Sequence, residues 1–336
     1  MAKLIYPAPN EVVTTHTSIQ TEFIEKIEKH GTDAALQWLL PIKAGRECTY
    51  PEEITLRWED NGTGHYDVTL CEYFNSECGI NFVTREPALT LTNLKVGQEY
   101  FVYINGSYSG KFKTENNKYR FIKIDGLLNV RDVGGIKIKQ GMVYRGSDIM
   151  GEYSLSEKGK ETFLGELKIK TELNLRGEVS QNRTSPLSEV MHFYLPYRPY
   201  MEVFEEEHRR GICKIFDFLA DENNYPVYLH CLGGADRTGM IALYLRALLG
   251  ERDEDILTDY ELTSLSTYAG GLTEGIEAEG FRSRNNDYFA KFLNALSKYS
   301  YKKELRCQVP EFLADCGVKR DTLEKIICIL KKQTEG

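Results

Sequence analysis

The fold of this chain is decided by one stretch, Val227-Tyr228-Leu229-His230-Cys231-Leu232-Gly233-Gly234-Ala235-Asp236-Arg237-Thr238-Gly239. The residues that follow Pro226 are β-branched, aromatic or aliphatic, which predicts a short buried strand. After Gly239, apolar residues recur at helical spacing at Ile241, Leu245 and Leu248, which predicts a helix. The stretch therefore predicts a strand, a glycine-rich loop and a helix, with the loop at the helix N-terminus.

A loop in this position is suited to bind a phosphate dianion. The first N–H groups of a helix have no partner within the helix, and the helix dipole is positive at this end. Gly233 and Gly234 let the backbone curl without Cβ clashes. The same positive field favours the thiolate form of a cysteine, which makes Cys231 a candidate nucleophile. Arg237, six positions later, can hold two phosphate oxygens at once with its planar guanidinium group.

The sequence His230-Cys231-x5-Arg237-Thr238-Gly239 resembles the motif of the cysteine-dependent phosphatases of the protein tyrosine phosphatase superfamily. Its variant Gly234-Ala235-Asp236-Arg237-Thr238-Gly239 is most similar to the bacterial branch of tyrosine and dual-specificity phosphatases, which also includes phosphoinositide phosphatases. The resemblance implies a phosphocysteine intermediate on Cys231, with the phosphate held by Arg237 and by the backbone of Leu232, Gly233, Gly234 and Ala235. From the residues alone, a buried structural cysteine beside a turn is the alternative.

Three further segments resemble the same branch, so that the similarity covers residues from about 120 to 332. They are Asn129-x-Arg131-Asp132-x-Gly134-Gly135, Tyr144-Arg145-x-Ser147 and Asp259-Tyr260-x-Leu262-Thr263. The resemblance implies that Arg131 and Asp132 lie near the active site, whereas from the residues alone they could be an ion pair that closes a turn. A hairpin is expected between residues 136–138 and 142–145. Asn174 stands where the family more often has aspartate, which leaves its role open.

The general acid is the least obvious part of the predicted site. Many members of the superfamily use an aspartate on a mobile loop upstream of the cysteine to protonate the leaving oxygen. The corresponding segment here, residues 195–211, contains no aspartate. Asp236 is therefore the first candidate for the acid, Asp132 the second and Glu202 the third.

Other residues are expected to support the loop or the substrate. The Thr238 hydroxyl is expected to hydrogen-bond the Cys231 sulfur, and His230 to order the loop rather than to transfer protons. A phosphotyrosine slot needs aromatic walls, and candidates among the 21 tyrosines are Tyr197, Tyr200 and Tyr268. We expect neither a metal nor another cofactor.

The fold class expected for the 336-residue chain is α/β, with a largely parallel, helix-flanked sheet of the cysteine-phosphatase type preceded by a small all-β sandwich. Residues 1–43 are predicted to be a partly helical segment that could cover the next module. Residues 44–115 alternate with a period of two and resemble a fibronectin type III domain, with a tyrosine-corner stretch around Tyr100 and a core tryptophan at Trp58. The catalytic domain is predicted at residues 120–336.

Composition narrows the functional classes. The net charge of −8 argues against a nucleic-acid partner, and no stretch has the apolar length of a membrane span. A cytoplasmic location is favoured, and secretion is the alternative if a signal peptide has been removed. The predicted function is a protein tyrosine or dual-specificity phosphatase acting on a phosphorylated protein, peptide or small phosphomonoester, with a possible protein partner at the sandwich. The alternatives are a phosphoinositide or inositol-polyphosphate phosphatase and a catalytically silent phosphate-binding module.

Overall fold

A computed structural model of the protein describes residues 2–60, 62, 64–75, 77, 79–150, 154–177, 185–269 and 286–332. The chain forms two compact units, neither of which is continuous in sequence. The first contains Met1–Thr17 and Tyr50–Lys123, and the second contains Ser18–Thr49 and Ile124–Gly336. The domain boundaries given above stay predictions.

The first unit is built from strands. These are β1 (Leu4–Tyr6), β2 (Val12–Val13), β3 (Ile54–Trp58), β4 (Tyr66–Cys71), β5 (Ile80–Thr84), β6 (Ala88–Leu91), β7 (Glu99–Ile104), β8 (Ser107–Thr114) and β9 (Arg120–Phe121). One sheet has the order β1-β3-β6 and another the order β2-β8-β7-β4-β5. Alternate residues of β3 are buried, because one face of the strand packs on the core. The Tyr100 hydroxyl accepts the Lys95 N–H at 2.8 Å.

The second unit is a mixed α/β structure. Its strands are β10 (Arg131–Asp132), β11 (Val143–Gly146), β12 (Thr171–Asn174), β13 (Met191–Tyr194) and β14 (Val227–His230). They lie in the order β13-β12-β14-β11-β10. Neighbouring strands from β13 to β11 are parallel, and β10 is antiparallel to β11. All residues of β14 are buried because the strand is central and both of its faces are covered.

The described part of this unit also contains α-helices. They are α1 (Ser18–His30), α2 (Thr32–Lys43), α3 (Glu157–Lys160), α4 (Glu206–Leu219), α5 (Asp236–Leu248), α6 (Asp253–Glu261), α7 (Asn286–Leu296), α8 (Leu305–Asp315) and α9 (Arg320–Leu330). Every residue of α5 from Thr238 onward is buried, which is typical of a helix enclosed in a core. Within the described residues, no helix is both long and apolar enough to cross a bilayer.

Two expectations are corrected by the structure. Helices α1 and α2 belong to the second unit and not to the β-rich module that follows them, because Lys43 Nζ donates to the Ser264 carbonyl at 2.8 Å and the Cys48 N–H donates to Leu265. The predicted hairpin also has the wrong partner, since β11 pairs with β10. Ile138 is instead buried and bridges to Lys331.

Candidate active site

The loop from Cys231 to Ala235 connects the carboxyl end of β14 to the first residue of α5. In a parallel sheet, the carboxyl ends of the strands are the usual place for a ligand site. Cys231 is only 4% exposed, and Asp236 and Arg237 are half-buried. The strand, loop and helix predicted from the sequence are thus all present.

Three consecutive carbonyl groups of the loop are bonded from outside. The Leu232 carbonyl accepts the Asp148 N–H at 2.8 Å, the Gly233 carbonyl accepts Asn129 Nδ2 at 2.9 Å, and the Gly234 carbonyl accepts Arg145 Nη2 at 2.8 Å. In a planar trans peptide the N–H points away from the C=O. The N–H groups that follow these carbonyls are therefore directed away from the three donors.

Both loop glycines are required by their surroundings. A Cβ at Gly233 would lie 2.1 Å from the ring of Tyr268, and a Cβ at Gly234 would lie 2.3 Å from the Gly146 carbonyl group. Gly234 also has a φ of +65°, which side chains disfavour. The loop curls tightly because nothing larger than hydrogen occupies these two positions.

Behind the loop lies a buried ionic cluster, which we call the arginine cluster: Arg131, Arg145 and Arg246 around Asp259. Asp259 contacts Arg145 Nη1 at 2.8 Å, Arg246 Nη2 at 3.4 Å and Arg131 Nε at 3.5 Å. Burial raises the pKa of Asp259, but the three guanidinium groups outweigh it and lower this pKa to about 2. Burial and the neighbouring Arg145 charge lower the pKa of Arg131 to about 9.

The arginine cluster also orients Asn129. Arg131 Nη1 donates to Asn129 Oδ1, which leaves the Nδ2 of this amide to donate to the loop. Arg131 was predicted to lie near the active site, and the structure places it one side chain away from the loop. Asn129, Arg145 and Asp259 were not named as site residues, although all three lie in the quoted motifs.

His230 is fully buried at the end of β14. Its Nδ1 lies 3.0 Å from the Cys231 carbonyl oxygen and its Nε2 lies 2.9 Å from Glu172 Oε1. Burial raises the pKa of Glu172, but its contacts with His230 outweigh burial and lower it. This position ties the start of the loop to strand β12, and it supports an ordering role.

Asn174 has a definite structural contact. Its Oδ1 accepts both the backbone N–H and the Nε of Arg176 at 3.0 Å. Arg176 in turn forms an ion pair with Asp148, whose backbone N–H supports Leu232. An amide oxygen is thus sufficient here, because the charge of Arg176 is balanced by Asp148.

The remaining predicted loop residues are placed as follows. Arg237 Nη1 donates to the Leu175 carbonyl at 3.3 Å, at the carboxyl end of β12. The Thr238 hydroxyl is buried and forms no hydrogen bond with any described residue, so the expected bond to the Cys231 sulfur is not formed. Tyr268 packs against the loop, whereas the Tyr197 hydroxyl bonds the Tyr244 hydroxyl at 3.1 Å.

The three candidate acids have different surroundings. Asp132 is buried, and its two carboxylate oxygens accept the N–H groups of Gly134 at 2.7 Å and Gly141 at 2.6 Å. It therefore closes a turn. Glu202 is exposed and lies 3.7 Å from Arg198. Asp236 alone of the three adjoins the loop, as the first residue of α5, and its Oδ1 accepts the hydroxyl proton of Tyr200.

The parallel sheet, the glycine-rich loop and the cysteine and arginine that bracket it define a mixed α/β protein of the cysteine-phosphatase type. A model of the tyrosine phosphatase family matches residues 122–330, which is more than half of the chain, and the chain therefore belongs to this family. A search of curated proteins gives no match.

Solved structures with some likeness include the core catalytic domain of the PP-IP phosphatase SIW14 from S. cerevisiae, at 15% identity and a TM-score of 0.30 over 48% of this chain and 90% of that one. Another is OH1 from the Orf virus, a tyrosine phosphatase, at 13% identity and a TM-score of 0.21 over 52% of this chain and 83% of that one. With such low scores, neither informs the substrate of the present chain.

Proposed function

We propose that the protein is a phosphomonoester hydrolase that acts through a phosphocysteine intermediate, with Cys231 as nucleophile, Arg237 as phosphate clamp and Asp236 as general acid. The observation that carries the proposal is the set of three outward-bonded carbonyls at Leu232, Gly233 and Gly234. Because these carbonyls are held outward, the following N–H groups are free to converge on the equatorial oxygens of a phosphoryl group.

The proposed cycle has two displacements. The Cys231 sulfur attacks phosphorus in line, and the bond from phosphorus to the leaving oxygen breaks. The leaving oxygen keeps the electrons of this bond and receives a proton from Asp236. Water then attacks the phosphocysteine and gives a proton to Asp236, while the electrons of the S–P bond return to sulfur. Arg237 and the loop N–H groups hold the phosphoryl oxygens during both steps.

Asp236 is preferred as the acid for a structural reason. Both oxygens of Asp132 accept hydrogen bonds in the turn after β10, and Glu202 is exposed beside Arg198. Asp236 is half-buried and directly precedes the clamp residue Arg237. Of the three candidates, it is thus the one that adjoins the loop.

For the substrate we propose a phosphorylated protein or peptide, in the manner of a tyrosine or dual-specificity phosphatase, with the Tyr268 ring, which packs against Gly233, as an aromatic wall for an aryl group. A phosphoinositide or inositol polyphosphate is the second candidate, but relatives of that kind often have a basic residue where this chain has Ala235. We further propose that the first unit is a fibronectin type III-like sandwich that binds a protein partner, and that the protein is cytoplasmic. The strand orders and the Tyr100 hydrogen bond support the first part.

The test is hydrolysis of p-nitrophenyl phosphate by the purified chain in the presence of EDTA. Full activity is expected, because the proposed cradle consists of protein groups alone. Cys231→Ser should abolish turnover, with a loss of at least about 10⁴-fold, while phosphate binding is retained. Turnover that requires a metal, or that survives in Cys231→Ser, would exclude the proposed mechanism. Phosphate binding without turnover would identify the silent binding module.

A further inference from the structure

Tyr200 has an unusual backbone conformation. It begins the 3₁₀ turn Tyr200–Phe204 and has a φ of +60°, a region that bulky residues rarely adopt. Its side chain is only 8% exposed. It lies in residues 195–211, the segment that contains no aspartate although many superfamily members have their acid there. The packing of this segment therefore brings a tyrosine toward the active site.

The Tyr200 hydroxyl belongs to an ordered chain of hydrogen bonds. It donates to Asp236 Oδ1 and lies 2.5 Å from the Tyr260 hydroxyl. A phenol has one proton, so Tyr260 must be the donor between the two hydroxyls. The Tyr260 ring is itself fixed, because it stacks on Phe289 with ring centres 4.2 Å apart.

Both tyrosines remain neutral at working pH. Burial, followed by the electrostatic interactions with Tyr260 and Asp236, raises the pKa of Tyr200, and burial raises that of Tyr260. Tyr200 can therefore donate a hydrogen bond during the whole cycle without giving up its proton. It can orient the acid but does not replace it.

Resting on the function proposed above, we propose that Tyr200 is a positioning residue that selects the reactive oxygen of Asp236. A carboxylic acid whose Oδ1 accepts a hydrogen bond carries its proton on Oδ2. In the first step this Oδ2 proton passes to the leaving oxygen as the P–O bond breaks, and in the second step Oδ2 takes a proton from the attacking water. The Tyr200 proton remains on Tyr200 throughout. The segment that lacks the acid thus supplies the group that aims it.

The proposal predicts a loss that depends on the leaving group. Tyr200→Phe removes the hydroxyl but keeps the ring, so kcat for a phosphotyrosine or phosphoserine peptide should fall by about tenfold, a fraction of the full effect of a general acid. For p-nitrophenyl phosphate, whose leaving group needs little protonation, kcat should change by less than about twofold. KM should be unchanged for both, because ground-state binding does not use the acid.

The matched control is Tyr244→Phe. Tyr244 lies on α5, as Asp236 does, and its hydroxyl bonds the Tyr197 hydroxyl at 3.1 Å without contacting Asp236. Tyr244→Phe also removes a hydrogen bond between two buried tyrosine hydroxyls, so its effect on stability should be similar to that of Tyr200→Phe. The dependence of kcat on the leaving group should be absent. If Tyr200→Phe does not fold, Tyr260→Phe serves instead, since it removes the donor to Tyr200, and it should show the same selective loss at smaller size.

The outcomes separate the two proposals. A loss in Tyr200→Phe that is equal for all substrates, or that appears only in KM, would overturn the positioning role and leave the phosphatase mechanism standing. A loss in Tyr260→Phe that is equal for all substrates would also overturn the positioning role. If the wild-type protein does not hydrolyse any of these phosphomonoesters, the function itself is wrong and the role of Tyr200 is overturned with it.

Discussion

The two sides of the Cys231 loop are supported in contrasting ways. On the carbonyl side, the supports are the buried Asn129, Arg145 and the Asp148 backbone, and the first two are fixed by the arginine cluster. On the other side, the half-buried Asp236 and Arg237 are held by neutral groups, the Tyr200 hydroxyl and the Leu175 carbonyl. In the proposed mechanism the supports on the carbonyl side only set geometry and can be rigid, whereas the groups around Asp236 and Arg237 must let a proton and a phosphate come and go.

This difference also concerns stability. Buried charges cost several kcal/mol of desolvation each, which only close pairing offsets. The arginine cluster includes three guanidinium groups for one central carboxylate, and Glu251 pairs with Arg246 at 2.7 Å. The carbonyl side should therefore respond to the loss of a single charge far more strongly than the side of Asp236.

The largest effect is expected for Asp259→Asn. The change leaves Arg131 and Arg145 buried without their carboxylate, and the free energy of unfolding should fall by about 3–5 kcal/mol. Urea denaturation at pH 7 measures it. The control is Asp255→Asn on the same helix α6, whose ion-pair partner Arg252 is largely exposed, so that a smaller change is expected. Equal losses in the two variants would contradict the contrast drawn here.

A smaller effect, on rate rather than on folding, is expected for Asn129→Ala. The Gly233 carbonyl loses its outer donor, the loop relaxes, and kcat for p-nitrophenyl phosphate should fall by about 10- to 100-fold. Asn224→Ala is the matched control, because Asn224 is also buried and its Nδ2 also donates to a carbonyl, that of Phe218 at 2.7 Å. The idea fails if both variants lose the same activity.

The smallest effect is a pH dependence of stability. The pKa of Asp259 is lowered from its ordinary value of about 3.9 to about 2 in the folded protein. A lowered folded-state pKa means that the contribution of Asp259 is complete above about pH 4 and is lost as pH falls through about 2. Unfolding free energies between pH 5 and pH 2 should decline more steeply for the wild-type protein than for Asp259→Asn. Parallel curves would show that the carboxylate is not the group that titrates.

Much of the site could be predicted because its parts are adjacent in sequence. The strand before Cys231, the two glycines and the helix that contains Arg237 are encoded within one short stretch, so local rules are sufficient. The mixed α/β class is also confirmed, because the strands and helices that define it follow from local patterns. Asp132 shows the limit, because its carboxylate oxygens accept the backbone N–H groups of Gly134 and Gly141, which only the folded turn brings near.

Other features were beyond sequence reasoning because they depend on contacts over long separations. The bond from Asn129 to Gly233 joins residues 104 positions apart, and nothing local marks it. Tyr200 was a candidate for an aromatic wall, but its contact with Asp236 depends on the left-handed backbone at that residue. Arg145 and Asp259 could have been identified from the quoted motifs, since charged residues in otherwise apolar segments are often buried in pairs.

The helical pair α1 and α2 connects to the loop through the segment that follows α6. Lys43 Nζ donates to the carbonyls of Ser264 and Ser266, and Glu47 accepts the N–H and hydroxyl of Thr267. The next residue, Tyr268, packs against Gly233. Truncation before residue 124 would therefore remove more than an accessory module, because the segment that covers the loop would lose its brace. The smallest fragment that can fold a working active site should include residues from both ends of the sequence.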